Sequence, residues 1–202
     1  MAELSPVTLT GELVRLEPLT HDHEPDLVEA AKDGELWNLW YTTIPTPEGM
    51  SAEIDRRLGL QEDGSMIPFA TRDLRSGKVI GMTTYMNIDA SLPRVEIGST
   101  WNAKSARGSG TNAESKLLLL SHAFDVWNCT AVEFRTSWHN RQSREAIERL
   151  GAKLDGVLRQ HVRTKDGSLR DTCVYSIIPA EWPQVRSSLL FRLGRDVLGE
   201  DS

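Results

Sequence analysis

Between two regular elements the chain reads Arg107-Gly108-Ser109-Gly110-Thr111-Asn112. Its two glycines allow positive φ angles and a close approach of the backbone to a ligand. The N–H groups that open a helix, with its positive dipole end, favour a bound phosphate, and Arg107 can add a charge-assisted hydrogen bond. It is neither a Walker loop nor a dinucleotide fingerprint, since the spacing of both is missing. The stretch predicts an anion-binding loop or, alternatively, a flexible surface turn.

The elements around this loop have clear periodicities. The alternating run Val95–Trp101 before it predicts a strand. After it, apolar residues from Ala113 to Trp127 recur at steps of three and four and predict an amphipathic helix. A strand over Ala131–Thr136 and a helix over Asn140–Leu150, stopped by Gly151, follow.

Shorter patterns predict the remaining elements. We expect a strand at Leu13–Leu16, a helix capped by Thr20 and running to about Lys32, an irregular segment from Leu36 to Met50 and a helix from Ser51 to Leu60. We further expect strands over Pro68–Asp73, Val79–Ile88, Leu154–Val162 and Thr172–Ile178, turns at Ser76-Gly77-Lys78 and Lys165-Asp166-Gly167, and a last helix from Ala180 to Leu193. Together they predict a mixed α/β (α+β) domain. Its central sheet is mostly antiparallel in the N-terminal half of the chain, and crossover helices connect strands in the C-terminal half.

The composition excludes several classes of protein. The 202 residues are 39% hydrophobic, which suits one globular domain, and the net charge of −6 argues against nucleic acid as the main ligand. Two cysteines without CxxC spacing argue against a disulfide scaffold and favour a cytoplasmic protein. The histidines lack metal-ligand spacing, and neither a signal peptide nor a membrane span is expected. We expect residues Gly199–Ser202 to be disordered.

Two motifs in this order resemble the GNAT N-acetyltransferases, specifically their RimJ/RimL-like branch. The pyrophosphate loop of that family reads [Gln/Arg]-x-x-Gly-x-[Gly/Ala], and Arg107 and Gly110 match it, whereas Asn112 departs from it. The second motif, Asn-x-x-Ser followed by a helix and Leu-Gly, matches at Asn140, Ser143, Leu150 and Gly151, with Ala152 in place of the family's Phe. The resemblance covers residues 9 to 180. It implies a single acyltransferase domain over residues 1–202, with splayed central strands and a C-terminal helical extension over 180–198.

The resemblance implies acetyl-CoA as the co-substrate and no metal. Residues Arg107, Gly108, Ser109, Gly110, Thr111 and Asn112 would take its pyrophosphate. The strand edge at Ser99, Thr100 and Trp101 would pair with the pantetheine amides, and a backbone N–H there would polarise the thioester carbonyl. Asn140 and Ser143 would contact the cofactor arm where the strands splay apart.

The resemblance also implies candidate acid–base residues for direct attack by a primary amine in a ternary complex. Glu96 would deprotonate the amine through water, unless it is only a solvated strand carboxylate. Ser143 would protonate the departing thiolate, unless its hydroxyl only bonds the helix backbone. Tyr175 is the rival acid, although a core aromatic is the favoured interpretation. Cys173 is interpreted as a buried thiol.

The amine acceptor is less defined by the sequence. Trp37, Trp40 and Tyr41 line an acceptor pocket or close the core, and the negative net charge favours a cationic or terminal amine. Other acyl donors such as succinyl-CoA, and a catalytically silent CoA-binding module, remain alternatives. The apolar run Leu189-Leu190-Phe191 makes a homodimer plausible.

Overall fold

The computed structural model describes residues 5–89, 91–164 and 166–197. Its eight strands are β1 (Leu9–Thr10), β2 (Val14–Pro18), β3 (Met66–Asp73), β4 (Val79–Asp89), β5 (Arg94–Asn102), β6 (Ala131–Ser137), β7 (Lys153–Arg163) and β8 (Leu169–Ile177). Its five α-helices are α1 (Glu24–Lys32), α2 (Met50–Glu62), α3 (Thr111–Ser121), α4 (Arg141–Leu150) and α5 (Trp182–Arg192).

All eight strands form one sheet in the order β1-β2-β3-β4-β5-β6-β8-β7. Each neighbouring pair is antiparallel except β5 and β6, which are parallel because the crossover through α3 returns the chain in the same direction. The predicted mixed sheet, antiparallel early and with crossover helices late, is confirmed.

The parallel pair in the middle of the sheet is short. Strands β5 and β6 pair only over residues 94–96 and 131–133. Beyond these three positions β5 pairs only with β4, and β6 pairs only with β8. The two strands therefore splay apart, as predicted, and the gap between them opens inside the sheet.

Helices cover the two faces of the sheet and create two apolar cores. Helices α3, α4 and α5 pack on one face, where Tyr85 is fully buried and its hydroxyl donates to the Leu119 carbonyl at 2.6 Å. Helices α1 and α2 cover the other face of the first strands, and Trp101 packs among their side chains. Strands β3 and β4 are thus covered on both faces, so most of their residues are buried in continuous runs.

One of the two predicted helix starts is wrong. Thr20 stands at the N-cap as predicted, but the first turn over His21–His23 is 3₁₀ and α1 begins at Glu24; the His23 ring accepts the Thr20 N–H at 3.0 Å and closes that turn. The second helix begins at Met50 after Gly49, so Ser51 lies inside it and does not cap it. The irregular segment before α2 is confirmed, apart from a 3₁₀ turn at Leu36–Asn38.

The long helix and the C-terminal end also differ from expectation. The α-helix ends at Ser121, and a π turn over His122–Val126 continues it to Trp127, whose N–H bonds the His122 carbonyl. Strand β1 is too short to produce a pattern in the sequence. Of the run proposed for dimerisation, Leu189 is fully buried in the chain's own core and only Phe191 is exposed. That run therefore no longer supports a dimer.

A few sequence expectations lie outside the described residues. These are Lys165 in the last hairpin turn, residue 198 of the C-terminal extension and the tail Gly199–Ser202. In the part of the chain that is described, no helix is long and apolar enough to cross a membrane.

Candidate active site

A cavity of about 630 Å³ lies where β5 and β6 separate. One wall is the second half of β5 and the first turns of α3, and the opposite wall is β6 and α4. Leu39 and residues 41–44, from the irregular segment before α2, line it on the other face of the sheet. The splayed strands thus produce a cavity that is lined from both faces of the sheet.

The glycine loop forms the entrance to α3. Gly110 has a φ of +86° and stands at the N-cap of α3, and Gly108 has a φ of +74°. A Cβ on Gly110 would lie 3.0 Å from Leu13 Cδ1, whereas one on Gly108 would meet nothing within 4 Å. No side chain at the N-cap bonds the first turn of α3, so its N–H groups remain available to an anion.

The six residues of the predicted loop have two different placements. Arg107, Gly108, Gly110 and Asn112 line the cavity. Ser109 and Thr111 do not: the Ser109 hydroxyl donates to the Ala106 carbonyl at 2.6 Å and lies 2.9 Å from the Thr111 hydroxyl. These two hydroxyls hold the loop's conformation instead of facing a ligand.

Strand β5 carries a bulge at the point where it faces the cavity. Its pairing with β4 shifts between Met82 and Thr84, and Ser99 has a φ of +46°. Ser99, Thr100 and Trp101 all line the cavity, as predicted for the donor arm. The Trp101 Nε1 is buried without a hydrogen-bond partner in the described part of the chain, and the indole ring packs in the core under α1 and α2.

The second motif opens α4. The Asn140 Oδ1 accepts the Ser143 backbone N–H at 3.1 Å and so caps the helix, and both side chains line the cavity. Asn140 therefore orders the helix start, and its amide nitrogen is the group left for a ligand. The Ser143 side chain is partly buried beside it.

Glu96 does not line the cavity but lies at the last paired position of β5 and β6, where the gap begins, on the face of the sheet opposite to Val95 and Ile97. Its Oε2 accepts a hydrogen bond of 2.7 Å from Asn87 and lies 3.5 Å from Arg135 Nε. Its Oε1 faces Gly98, where an added Cβ would come within 2.9 Å of it. Burial raises the pKa of Glu96 despite these two polar partners, which gives it the character of a base that can bind a proton.

Tyr175 is not brought to the cavity. Its side chain is fully buried on β8, its hydroxyl donates to Glu148 Oε1 at 2.8 Å, and it accepts from Arg144 Nε at 3.1 Å. Burial raises the pKa of this phenol. This placement favours the core-aromatic interpretation and argues against the rival-acid role. Cys173 is likewise a fully buried free thiol.

The three aromatics of the irregular segment separate into different environments. Trp37 is partly buried and packs against the core under α1 and α2. Tyr41 lines the cavity, and its ring centroid lies 5.7 Å from that of Trp40. Trp40 is 71% exposed, and its ring centroid lies 5.5 Å from that of His139. Trp40 and Tyr41 thus remain candidates for an acceptor pocket, whereas Trp37 belongs to the core.

Several cations at the cavity were not singled out from the sequence. They are Lys116 on α3, Arg135 on β6, Arg149 on α4 and Arg192 on α5. One sequence signal was available for the first: Lys116 stands in the apolar stripe that Ala113 and Leu117 define. Within the described residues no group of three or more His, Cys, Asp or Glu side chains is placed to hold a metal ion.

The residues present suit an anionic, amide-rich ligand such as acetyl-CoA. Several cations, an open helix N-terminus and the bulged backbone of β5 border one cavity. Phosphates match the first two features, and the amides of a pantetheine arm match the third. Its volume is in the range of cavities that enclose small organic ligands.

Comparison with known proteins agrees with this geometry. The model of the acetyltransferase (GNAT) domain family matches residues 14–153. Among curated proteins none matches the sequence significantly.

Solved structures are similar over nearly the whole chain. A protein assigned as an acetyltransferase from T. thermophilus is 34% identical, covering 94% of this chain and 98% of its own, with a TM-score of 0.81. A GCN5-related N-acetyltransferase from Brucella melitensis is 28% identical over 93% of this chain and 86% of its own, with a TM-score of 0.82. RimJ from Mycobacterium smegmatis, in complex with CoA-disulfide, is 21% identical over 94% and 96%, with a TM-score of 0.77, and shows the shared fold.

Proposed function

Because this chain belongs to the GNAT acetyltransferase family, we propose that it transfers the acetyl group of acetyl-CoA to a primary amine by direct attack in a ternary complex. The observation that carries this proposal is a cavity between β5 and β6 whose lining comes from both faces of the sheet. A donor can enter from the side of α3 and α4, and an acceptor from the side of residues 39–44. The two substrates would meet at the gap.

The donor half of the proposal is supported by the entrance to α3. The pyrophosphate would lie against Arg107, Gly108 and Gly110, where the backbone N–H groups of the first helical turn are open. The pantetheine arm would run along Ser99–Trp101, and its amides are suitable partners for the backbone at the β5 bulge. The structural similarity to a RimJ that holds CoA-disulfide is in keeping with this donor.

The chemical step we propose uses two side chains and the β5 backbone. Glu96, whose pKa burial raises, accepts a proton from the ammonium through water and leaves a neutral amine. The amine nitrogen bonds to the thioester carbon, a backbone N–H of β5 stabilises the oxyanion, and the carbon–sulfur bond then breaks. Ser143, at the start of α4, gives its proton to the departing thiolate and regains one through water from the attacking nitrogen, which leaves a neutral amide, the free thiol of CoA and an intact serine. The Tyr175 hydroxyl lies in the core and is the weaker alternative.

The acceptor we propose is a small or terminal amine on a partly apolar scaffold, as in a RimJ/RimL-like enzyme. Support comes from Tyr41, which lines the cavity, and from Trp40, whose exposed ring contacts that of Tyr41; both rings offer apolar faces that can also attract a cation. We further propose that the whole chain acts as one acyltransferase domain, without nucleic-acid or membrane partners. Cytoplasmic placement is favoured by two free, buried cysteines.

The test is release of free thiol from acetyl-CoA with a panel of amines that includes peptides with free N-termini, polyamines and amino acids. We expect at least one amine to raise thiol release above the hydrolysis background, with mass spectrometry showing an added acetyl group. Faster turnover of succinyl-CoA than of acetyl-CoA with the same amine would mean that succinyl-CoA is the donor. CoA binding by calorimetry without turnover of any amine would instead favour a silent CoA-binding module.

A further inference from the structure

Lys116 is a buried cation in the donor side of the cavity. Its side chain is 6% exposed, and its Nζ donates to Thr100 Oγ1 at 3.1 Å. Thr100 in turn shares a hydrogen bond of 2.8 Å with Thr83. Among the ion pairs of the described residues, none includes Lys116. A buried ammonium without a carboxylate is costly, so its presence calls for a partner that the protein itself does not supply.

Core packing does not account for a lysine at this position. Its neighbours on the same stripe of α3 are Ala113, Leu117 and Leu120, all buried apolar residues. A methionine of similar length would fill the same space without the cost of desolvating a charge. The position therefore carries a charge for a reason other than the stability of the core.

The direction of the side chain brings the ammonium towards the open end of α3. Asn112, Ala113 and Lys116 all line the cavity from one face of the helix. Lys116 lies one turn after Asn112, a rise of about 6 Å, and helical side chains lean back towards the N-terminus. The hydroxyl that it contacts, Thr100 Oγ1, lies two residues before the end of β5, the strand that leads into the loop at the uncapped N-terminus of α3.

We propose that Lys116 binds the pyrophosphate of the acyl-CoA donor from inside the protein, as the buried counter-ion that completes the site at the α3 N-terminus. This assignment rests on the proposed function and adds a donor-binding residue to it. Arg107 would contact the same anion from the solvent side, where it is exposed. The pyrophosphate would then lie between a solvent-facing and a buried cation.

The Lys116 side chain gains or loses its proton near neutral pH. Burial lowers the pKa of its ammonium from 10.5 to about 7. A phosphate beside it favours the charged form, so donor binding raises the pKa and takes up a proton in the pH range between about 7 and the raised pKa of the complex. Affinity for the donor should accordingly fall as the pH rises above 7, by up to about tenfold per unit.

The other ionisable groups around Lys116 do not produce the same effect. Those that share the cavity are four arginines, which stay charged, and one phenol: Arg107, Arg135, Arg149, Arg192 and Tyr41. On α3 itself, Glu114 is engaged by the backbone N–H groups of residues 12–14. On the far face of the sheet, Glu53 pairs with Arg57. The charge of Lys116 is therefore the one expected to change between pH 7 and 9.

The first experiment measures binding of CoA and of dephospho-CoA to the full chain and to Lys116→Met by calorimetry. Loss of one charge-assisted hydrogen bond should weaken both ligands about ten- to a hundredfold. Lys78→Met, a change of an exposed lysine in the β3–β4 turn, should change neither. If the substitution weakens binding of CoA but not of dephospho-CoA, Lys116 contacts the 3′-phosphate, and the pyrophosphate assignment is overturned. Unchanged affinity for both ligands would overturn it as well.

The second experiment needs no variant. Dephospho-CoA lacks the phosphomonoester, whose second pKa is about 6, so its charge is constant over the range used. Calorimetry at pH 8 in buffers of different ionisation enthalpy should show uptake of up to about one proton by the native chain, and almost none at pH 6. No uptake at pH 8 would overturn the proposal. A native chain that fails to bind CoA at all would instead refute the proposed function.

Discussion

The donor side and the acceptor side of the cavity are built in different ways. The donor side consists of a strand and a helix, β5 and α3, joined through a loop with two positive-φ glycines. The acceptor side consists of residues 39–44, which have no regular secondary structure, and its most prominent side chain, Trp40, is 71% exposed. One side is defined by backbone and buried charge, and the other by exposed aromatic rings.

A buried carboxylate holds the donor side in place. Glu114 is fully buried on α3, accepts the backbone N–H groups of residues 12–14, and forms an ion pair with Arg195 after α5. Burial alone would raise the pKa of Glu114, but Arg195 and the N–H groups outweigh it and hold the pKa below its ordinary value. The first turn of α3 is thereby tied to both ends of the described chain.

This contrast suggests why the two substrates are recognised differently. A constant ligand such as CoA can be bound by fixed backbone groups, which need few side chains and tolerate little change. A variable acceptor is selected by side chains on a loop, where substitutions cost little stability. Substitutions on the donor side should therefore change the affinity for CoA, and substitutions on the acceptor side should change the KM of the acceptor.

The largest effect is expected at the point where the two sides meet. Glu96→Gln should lower kcat/KM about 10²- to 10⁴-fold while the Kd for CoA stays constant, because the amine loses its base. The wild-type rate should fall as the pH drops below the raised pKa of Glu96, above the ordinary value of 4.5. This limb of the pH profile should be absent in the variant. An unchanged rate and profile would mean that another base, or none, is used.

The donor side should be most sensitive at Gly110. In Gly110→Val a side chain must adopt a φ of +86° and meet Leu13, so we expect CoA affinity to fall about a hundredfold or more. Gly77→Ala is the matched control, since Gly77 has a φ of +71° in the β3–β4 turn and does not line the cavity. It should lose stability but keep its CoA affinity. Calorimetry with equal affinities in both variants would contradict the donor assignment.

A pair of substitutions should distinguish Ser143 from Tyr175 as the general acid. Ser143→Ala should lower kcat about ten- to a hundredfold, since the thiolate then leaves without a positioned proton. Tyr175→Phe should leave kcat within about threefold and lower the melting temperature, because it breaks the hydrogen bonds to Glu148 and Arg144 in a buried site. The reverse result in steady-state kinetics would reassign the acid to Tyr175.

The smallest effect is expected on the acceptor side. Trp40→Ala should raise the acceptor KM about five- to tenfold without changing CoA affinity, since one exposed aromatic surface is lost. Trp37→Ala should mainly reduce stability, because that ring packs against the core. If Trp40→Ala leaves the acceptor constants unchanged in a folded protein, the acceptor pocket lies outside this segment.

The sequence alone determined the architecture and the position of the donor loop. Alternation in Val95–Trp101, the three-and-four spacing after Ala113 and the glycines at 108 and 110 are local signals, and local signals are sufficient for strands, helices and positive-φ turns. It was less accurate at the start of α2, where Gly49 and not Ser51 is the N-cap, and it did not predict the 3₁₀ turn that separates Thr20 from α1.

Tertiary structure alone decided which side chains share the cavity. The periodicity of α3 makes Lys116 part of an apolar stripe, and only the separation of β5 from β6 opens a space that its ammonium can face. The same separation left Tyr175 in the core and placed Trp40 and Trp37 in different environments, although they lie three residues apart. Local spacing specifies the direction of a side chain, whereas a cavity depends on strands and helices that are distant in the chain.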